Sequence, residues 1–504
     1  MPIDKCNKNL TFEEKELELL RKSVDIAETK LGKKIKQNND VDSMIKIVED
    51  FMRRKKVVCY GGTAINNILP ENDQFYNNDV EIPDYDFFSP KSIDHAKELA
   101  DIYASKGYDE VEVRSGVHKE TYKVFVNFIP IADITQLEPK IFKVLYKNTI
   151  RKNGISYAPP DYLRMLTYNE LSRPDGDVSR WEKVYKRLIL LNKHYPLKTN
   201  PKCSQVNFMR DFTGNPELKE TLYNVVREAM IDEGVVFIGG YASSLYGRHM
   251  PAEQKKQLQH VPDFDVLATD PKAVAYIIKE RLEDAGFKNV KVNKKQATGD
   301  DAIMTHYEIV VDDDTLCFIY EPYGCYSYNT IKVNNKTVKV ATIETMLLFL
   351  LAFMYADRPY YDHERIICMA EYLINVQAKN RLEQKGLLKR FNVNCYGKEK
   401  TLVEIRGEKA SKYKELKNAQ DSKEYNKYFF KYIPNKANKA NKANIEKNDS
   451  FQSDDRSSED KYSNKKNKNI SHKNKKYATR HRPFKNNKRT RKNNVVRKMF
   501  GNIF

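Results

Sequence analysis

The fold is decided by residues 57–88, VVCYGGTAINNILPENDQFYNNDVEIPDYDFF. An apolar run comes first, and Gly61-Gly62-Thr63 then opens a short segment with helical character. Glycine has no Cβ atom, so its backbone N–H groups can approach a ligand closely. The N-terminus of the helix behind it favours anions. The pattern therefore predicts a phosphate-binding turn at Gly61, Gly62 and Thr63.

Acidic and aromatic residues alternate at the end of this stretch, in Asp84-Tyr85-Asp86-Phe87-Phe88. Side chains on a strand alternate between faces, so Asp84 and Asp86 share a face, with Cβ atoms about 6–7 Å apart. Two carboxylates at this spacing can hold a pair of divalent metal ions for in-line displacement at phosphorus. Either motif alone is usually an ordinary turn or an exposed strand edge, but their combination favours nucleotidyl transfer.

A third carboxylate is expected from a neighbouring strand, to hold the catalytic metal and take the proton of the attacking hydroxyl. Residues 122–134 form a long apolar stretch that we predict to be a strand, and Asp133 is the only acid in it. Asp133 is therefore the third candidate, the alternative being a turn or strand-end residue. Arg173, Lys183 and Arg187 could reach a phosphate or could be ordinary helix-surface charges.

The same order of motifs recurs about 180 residues later. Residues 235–245 repeat the apolar run, the glycine pair and the helix start, and Asp263 and Asp265 repeat the paired acids. The first pair of acids lies 179 residues before the second, and later matches drift to slightly larger offsets, as a duplication with small insertions would give.

The second copy differs where chemistry would matter. Tyr241 stands where the first copy has Thr63, and residues 315–320, which match the third-carboxylate strand, contain no acid. We therefore expect the second copy to have kept the fold and lost the reaction. A second working site is the alternative.

A chain of 504 residues is too long for one core. We predict an α+β protein with two tandem domains, each a mixed sheet with flanking helices. The predicted organisation is N-terminal helices (1–55), a catalytic nucleotidyltransferase domain (56–200), a duplicated and inactive domain (201–380), a helical extension (381–433) and a low-complexity basic tail (434–504).

The net charge of +19 is concentrated at the end of the chain. Residues 461–504 contain sixteen Lys or Arg and no acid, which leaves 72 basic and 69 acidic residues in the rest. Such a run suits non-specific binding to phosphates with release of counterions. A solubilising or targeting segment is the alternative interpretation.

Several classes of protein are disfavoured by what the sequence lacks. No GxxxxGK[ST] occurs, which excludes P-loop kinases, and no Cys/His pair has the spacing of zinc ligands. The seven scattered cysteines indicate reduced thiols of an intracellular protein, with Cys59, Cys317 and Cys368 in the core. No run of eighteen apolar residues predicts a membrane span.

These motifs together resemble the DNA polymerase β-like nucleotidyltransferase superfamily. Within it, the chain resembles the poly(A) polymerase catalytic subunits of large cytoplasmic DNA viruses, such as the mimivirus and poxvirus groups, over roughly residues 40–380. The segments that carry the resemblance are YGGTAIN (60–66), PDYDFF (83–88), IADIT (131–135), ELSRP (170–174) and RWEK (180–183).

The resemblance implies two tandem polymerase β-like folds, the second degenerate. It implies that Gly61, Gly62 and Thr63 bind the triphosphate of ATP. The metal ligands, for Mg²⁺ or Mn²⁺, would be Asp84, Asp86 and Asp133.

The implied activity is template-independent addition of AMP from ATP to RNA 3′ ends, as in mRNA polyadenylation. The RNA 3′-hydroxyl would attack the α-phosphorus, and catalysis would rest on alignment and charge neutralisation. We expect RNA and ATP as partners, no membrane, and a possible homodimer through the duplicated domain. The expected location is the host cytoplasm or viral factory, with packaging in the virion as a further possibility.

Two other functions stay open on the sequence alone. One is another transferase, adding CCA or uridylate or acting on a small-molecule hydroxyl. The other is a catalytically dead RNA-binding scaffold or processivity subunit.

Overall fold

In the structure, a computed structural model, the chain divides into two compact units, Met1–Asn448 and Asp449–Phe504. All described residues belong to the first unit, so the predicted basic tail lies outside them except for residue 434. The described residues are 11–38, 40–77, 80–198, 203, 206–208, 210, 213–214, 216–250, 264–297, 303–356 and 358–434.

Two helices precede the first sheet. Helix α1 (Phe12–Asn38) begins with a reciprocal capping box, in which the Thr11 N–H donates to Glu14 Oε2 at 2.7 Å and the Glu14 N–H donates to Thr11 Oγ1 at 3.3 Å. Helix α2 (Val41–Arg54) has an apolar stripe at helical spacing, which it buries against the sheet. No described helix is long and apolar enough to cross a membrane.

The first mixed sheet carries the stretch that opened the sequence. Its strands in chain order are β1 (Val58–Tyr60), β2 (Tyr85–Ser89), β3 (Val111–Ser115), β4 (Thr121–Val126), β5 (Ile129–Gln136), β6 (Ile150–Lys152) and β7 (Ile155–Tyr157). The helices that pack around it are α3 (Gly61–Ile68), α4 (Ser92–Ser105), α5 (Pro139–Lys147), α6 (Pro160–Leu171) and α7 (Trp181–His194).

A second mixed sheet follows. Its strands are β8 (Val236–Phe237), β9 (Phe264–Leu267), β10 (Val290–Lys295), β11 (His306–Val311), β12 (Asp314–Tyr320), β13 (Tyr326–Val333) and β14 (Lys336–Ala341). The helices around it are α8 (Pro216–Asp232), α9 (Gly240–Tyr246), α10 (Pro271–Asp284), α11 (Ile343–Phe353) and α12 (His363–Lys379).

The two sheets have the same topology. The first runs β3-β4-β5-β2-β1-β7-β6, and the second runs β10-β11-β12-β9-β8-β14-β13, with matching parallel and antiparallel pairs throughout. Duplication of a domain would give two sheets whose seven strands have the same spatial order, and this is what the structure shows. The predicted α+β class with two mixed sheets is confirmed.

The C-terminal part of the described chain adds one strand to an edge of each sheet. Strand β15 (Cys395–Tyr396) pairs with β13, and β16 (Lys431–Tyr432) pairs with β3. Between them lie two helices, α13 (Leu402–Leu416) and α14 (Lys423–Phe429). The predicted helical extension (381–433) therefore also contributes an edge strand to each sheet.

The prediction of one strand over residues 122–134 was wrong. The chain turns back at Asn127 and Phe128, whose φ angles of 49° and 65° are both left-handed, as a two-residue type I′ hairpin needs. The apolar run hid the turn because Phe128 is an unusual residue at such a position. The result is the hairpin β4–β5, with Asp133 inside its second strand.

The prediction that the cysteines are all reduced was also wrong. The structure joins Cys203 to Cys368 and Cys325 to Cys395, with Cα atoms 5.3 and 5.1 Å apart. Sequence spacing could not show either pair, because their members lie 165 and 70 residues apart. Cys59 and Cys317 are buried free thiols, as expected.

Candidate active site

The glycine turn lies against the paired acids. Strand β1 pairs antiparallel with β2 so that Tyr60 lies opposite Asp86, and Gly61 follows directly. Gly61 has a φ of 74°, and a Cβ atom there would lie 2.6 Å from Asp86 Oδ2. A side chain is excluded both by the backbone conformation and by the carboxylate. The turn and the acids are therefore parts of one site.

Thr63 connects the turn to the acidic strand. It is buried, and its hydroxyl donates to the backbone carbonyl of Asp84 at 2.7 Å. This hydrogen bond fixes the start of β2 relative to α3. Thr63 therefore has a structural role in addition to its predicted contact with the nucleotide.

The three candidate acids come together across two adjacent strands. Strand β2 runs parallel to β5, and Asp86 lies directly opposite Asp133. Neighbouring strands are about 4.8 Å apart, so these two carboxylates are close neighbours. Asp84 lies just before β2 and is the most exposed of the three, whereas Asp133 is 9% exposed.

Burial and mutual repulsion disfavour the charged forms of Asp84 and Asp86. Burial, and then the charges of Asp84 and Asp133, raise the pKa of Asp86 well above its usual value. Loss of solvent around the carboxylate and the charge of Asp133 also raise the pKa of Asp84. Sites of this kind are stabilised by a positive ion, because it offsets the repulsion between the carboxylates.

Lys123 supplies one positive charge that the sequence analysis missed. It lies opposite Asp133 on β4, and its ammonium donates to Asp133 Oδ2 at 2.6 Å. Burial alone would lower the pKa of Lys123, but the hydrogen bond to Asp133 and the charges of the three acids outweigh it and raise that pKa. The hairpin register would have revealed the pair, but the stretch was taken as one strand.

The acids fit a divalent metal site by the chemistry of their donors. Carboxylate oxygens are the ligands that Mg²⁺ prefers and that suit Mn²⁺. Asp133 Oδ1 is buried and has no hydrogen-bond partner within the described part of the chain. A buried acceptor of this kind is costly unless something binds it.

Arg187 lies at the other side of the glycine turn. Its Nη1 atom would be 2.8 Å from a Cβ atom on Gly62. The guanidinium lies over the rings of Phe75 and Tyr76, at 5.0 and 5.5 Å from their centres, and Nη2 donates to the Tyr76 hydroxyl at 2.8 Å. Neither aromatic residue was predicted to belong to the site.

Arg187 has the properties of an anion ligand. Its Nε atom is buried without a hydrogen-bond partner, and no carboxylate of the described residues lies within ion-pair distance of its guanidinium. Lys183 lies on the same helix one turn earlier, and burial together with repulsion by Arg187 and Arg180 lowers its pKa. This side of the turn is therefore electropositive.

Arg173, in contrast, is not at the turn. Its guanidinium forms a two-point ion pair with Glu399, with Nε 2.8 Å from Oε2. The expectation that Arg173 could reach a phosphate is therefore not supported by its position.

The corresponding place in the second sheet is built differently. Asp265 lies opposite Phe318, which stands where the first sheet has Asp133. Arg210 donates to Asp265 Oδ1 at 2.8 Å and lies 4.6 Å from the centre of the Phe318 ring. The second sheet thus has an arginine and an aromatic ring where the first has acids. Asp263 lies outside the described residues.

Comparison with known proteins points to the same family that the sequence motifs resemble. Residues 46–177, which contain the glycine turn, all three acids and Lys123, match the family model described as "Poly(A) polymerase catalytic subunit". The chain is similar to the viral poly(A) polymerase catalytic subunits, and the family model matches it over these residues alone. The resemblance predicted from the sequence is confirmed.

Two viral relatives carry the name "Putative poly(A) polymerase catalytic subunit". The protein of Acanthamoeba polyphaga mimivirus is 25% identical over 397 residues, which cover 70% of this chain and 67% of the relative. The protein of African swine fever virus (strain Badajoz 1971 Vero-adapted) is 29% identical over 191 residues. That alignment covers 36% of this chain and 40% of the relative, so this chain matches less than half of the length of the African swine fever virus protein.

The fold has a counterpart among solved structures. The crystal structure of the Megavirus polyadenylate synthase aligns with a TM-score of 0.71 at 20% identity. The alignment covers 90% of this chain and 92% of that one, so the likeness includes both sheets.

Proposed function

We propose that this chain is a polynucleotide adenylyltransferase that adds AMP from ATP to RNA 3′ ends without a template, as in mRNA polyadenylation. The observation that supports this best is the meeting of Asp84, Asp86 and Asp133 beside the Gly61-Gly62 turn. That arrangement occurs in a chain related to the poly(A) polymerase catalytic subunits.

Asp84, Asp86 and Asp133 would hold divalent cations, Mg²⁺ or Mn²⁺. When bound, such ions offset charge on the phosphates and favour ionisation of the attacking 3′-hydroxyl. The backbone at Gly61, Gly62 and Thr63 would bind the triphosphate.

Arg187 would complete the triphosphate site. Its guanidinium is held in place by Phe75 and Tyr76, so little conformational entropy is lost when a phosphate binds. The chain's contribution to rate is then alignment of the RNA end with the α-phosphorus in a charged, pre-formed site.

The second sheet would support the first without reacting. Arg210 beside Asp265 and Phe318 opposite it leave no cluster of acids there among the described residues. The homodimer through the second domain, the domain boundaries and the location in the host cytoplasm or viral factory stay predictions.

The test is a tailing assay with the purified chain. A 5′-labelled oligoribonucleotide would be incubated with Mg²⁺ or Mn²⁺ and each nucleoside triphosphate separately, and the products resolved on a denaturing gel. We expect a long ladder with ATP alone. The Asp84→Ala/Asp86→Ala double variant should bind RNA normally and give no ladder.

Other outcomes would point to other functions. Extension by another nucleotide, or by only a few residues, would indicate a different tailing transferase. No extension by the wild-type chain, with RNA still bound, would indicate a scaffold and would contradict the proposal.

A further inference from the structure

Lys123 and Asp133 form a pair that the strand register itself creates. The two residues are directly opposite each other in the antiparallel hairpin β4–β5. The Lys123 Nζ atom lies 2.6 Å from Asp133 Oδ2, and the side chains are 28% and 13% exposed. Among the described residues, no other acid lies within ion-pair distance of Lys123. The ammonium is therefore committed to one oxygen of one carboxylate.

The two oxygens of Asp133 have different surroundings. Oδ2 accepts the hydrogen bond from Lys123, whereas Oδ1 is buried with no partner in the part of the chain that the structure describes. A carboxylate with one oxygen held by an ammonium is fixed in rotation about its terminal torsion, which is otherwise broad. One oxygen is thus left as the donor for a ligand.

The second sheet supplies an internal comparison. In the same strand order, Glu308 occupies the position of Lys123 and Phe318 that of Asp133. Glu308 pairs instead with Lys295, at 2.9 Å, on the neighbouring strand β10. At these two paired positions the first sheet has both the lysine and the third acid, and the second sheet has neither.

We propose that Lys123 is a positioning residue for the cation site: it holds Asp133 Oδ2 so that only Oδ1 is presented to a divalent ion. Its positive charge also weakens cation binding by the carboxylates. Lys123 thus lowers the affinity of the carboxylates for the ion and at the same time fixes the orientation of Asp133. The part of the proposal that concerns turnover rests on the proposed adenylyltransferase activity, and the part that concerns ion binding does not.

The experiment measures binding and turnover separately. Mn²⁺ binding to the full chain without nucleotide would be followed by calorimetry and by the Mn²⁺ electron paramagnetic resonance signal. In Lys123→Met, removal of a charge next to the ligand should tighten Mn²⁺ binding about tenfold. The same variant should lose kcat by about tenfold or more, because Asp133 is free to rotate.

Two variants serve as controls. Lys123→Arg keeps a charged donor opposite Asp133 and should recover much of the wild-type kcat and Mn²⁺ affinity. Lys295→Met removes a lysine of similar exposure from a lysine–carboxylate pair in the second sheet and should change neither. General damage to the fold would lower kcat and weaken ion binding together, so opposite changes distinguish positioning from damage.

The outcomes separate this proposal from the proposed function. Unchanged or weaker Mn²⁺ binding by a folded Lys123→Met chain would overturn the role of Lys123, whatever the enzyme does. Tighter Mn²⁺ binding by Lys123→Met, combined with a wild-type chain that tails no RNA, would support the effect of Lys123 on the ion and contradict the adenylyltransferase. Tighter binding with wild-type kcat would also overturn the positioning role.

Discussion

A single methyl group would be enough to disturb the phosphate side of the site. A Cβ atom on Gly62 would collide with the Tyr76 hydroxyl and would lie 2.8 Å from Arg187 Nη1. Both atoms are the ends of side chains and not backbone, so the backbone can keep its course while the guanidinium and the Tyr76 ring are pushed aside. The movement would displace the guanidinium from the place where we expect the triphosphate.

We predict that Gly62→Ala lowers kcat/KM for ATP by about 100-fold, because a displacement of about 1 Å at a reacting centre can cost that much. Thermal stability should change little. Gly407→Ala is the matched control, since Gly407 lies inside α13 with nothing near its missing Cβ atom. That variant should keep its activity and gain about 1 kcal/mol of helix stability. Equal losses of activity in both variants would contradict the prediction.

At the scale of elements, sequence reasoning succeeded where the pattern was local. Asp84 and Asp86 alternate with apolar residues inside five positions, and Gly61-Gly62 follows an apolar run, so both could be placed from spacing. Lys123 could not, because its pairing with Asp133 depends on the turn at Asn127 and Phe128, where Asn127 is a typical turn residue and Phe128 is not. Arg187 was singled out as a charge, but its place beside Gly62 depends on how α7 packs on α3.

The C-terminal strand β16 is an element whose role depends wholly on tertiary packing. The Ser115 N–H donates to the Phe430 carbonyl at 2.9 Å, and the Tyr432 hydroxyl donates to Asp101 at 2.7 Å. Phe430 is buried and meets the ring of Tyr122 edge-on, with ring centres 5.5 Å apart. Strand β16 covers the β3 edge of the first sheet, which is the sheet that bears the acids.

We predict that Phe430→Ala destabilises this attachment by about 3 kcal/mol, since it removes a buried ring. Hydrogen–deuterium exchange of residues 111–115 should become faster, because β3 would lose its neighbour. The control is Ile433→Ala, as Ile433 is 55% exposed and should change exchange little. Unaltered protection of β3 in Phe430→Ala would show that β16 does not stabilise this edge.

At the scale of the whole molecule, the two copies pack through corresponding helices. Helix α6 follows β7, α11 follows β14, and the two helices contact each other, with Tyr162 meeting Tyr355 edge-on at 4.9 Å. The ion pair between Arg173 and Glu399 adds a second connection across the same region. The order of motifs revealed the duplication, but this packing could not be read from the sequence.

The uneven charge of the molecule gives a prediction about RNA binding. Removing residues 461–504 takes away sixteen cations and no anions. RNA affinity should fall, and the plot of log affinity against log salt should become less steep by about 0.7 for each lost phosphate contact. The kcat with saturating short RNA should stay unchanged. An unchanged slope, measured by fluorescence anisotropy over a salt series, would show that the tail does not bind RNA.

The pairing of β16 with β3 also bears on how the chain is made. Strands β1 to β7 are translated before residue 158, but their sheet receives its last strand only when Tyr432 has left the ribosome. Domains generally fold during synthesis, the N-terminal one first. The nascent first domain must therefore wait with an open β3 edge while the whole second domain is synthesised, and an unpaired edge is a site of aggregation.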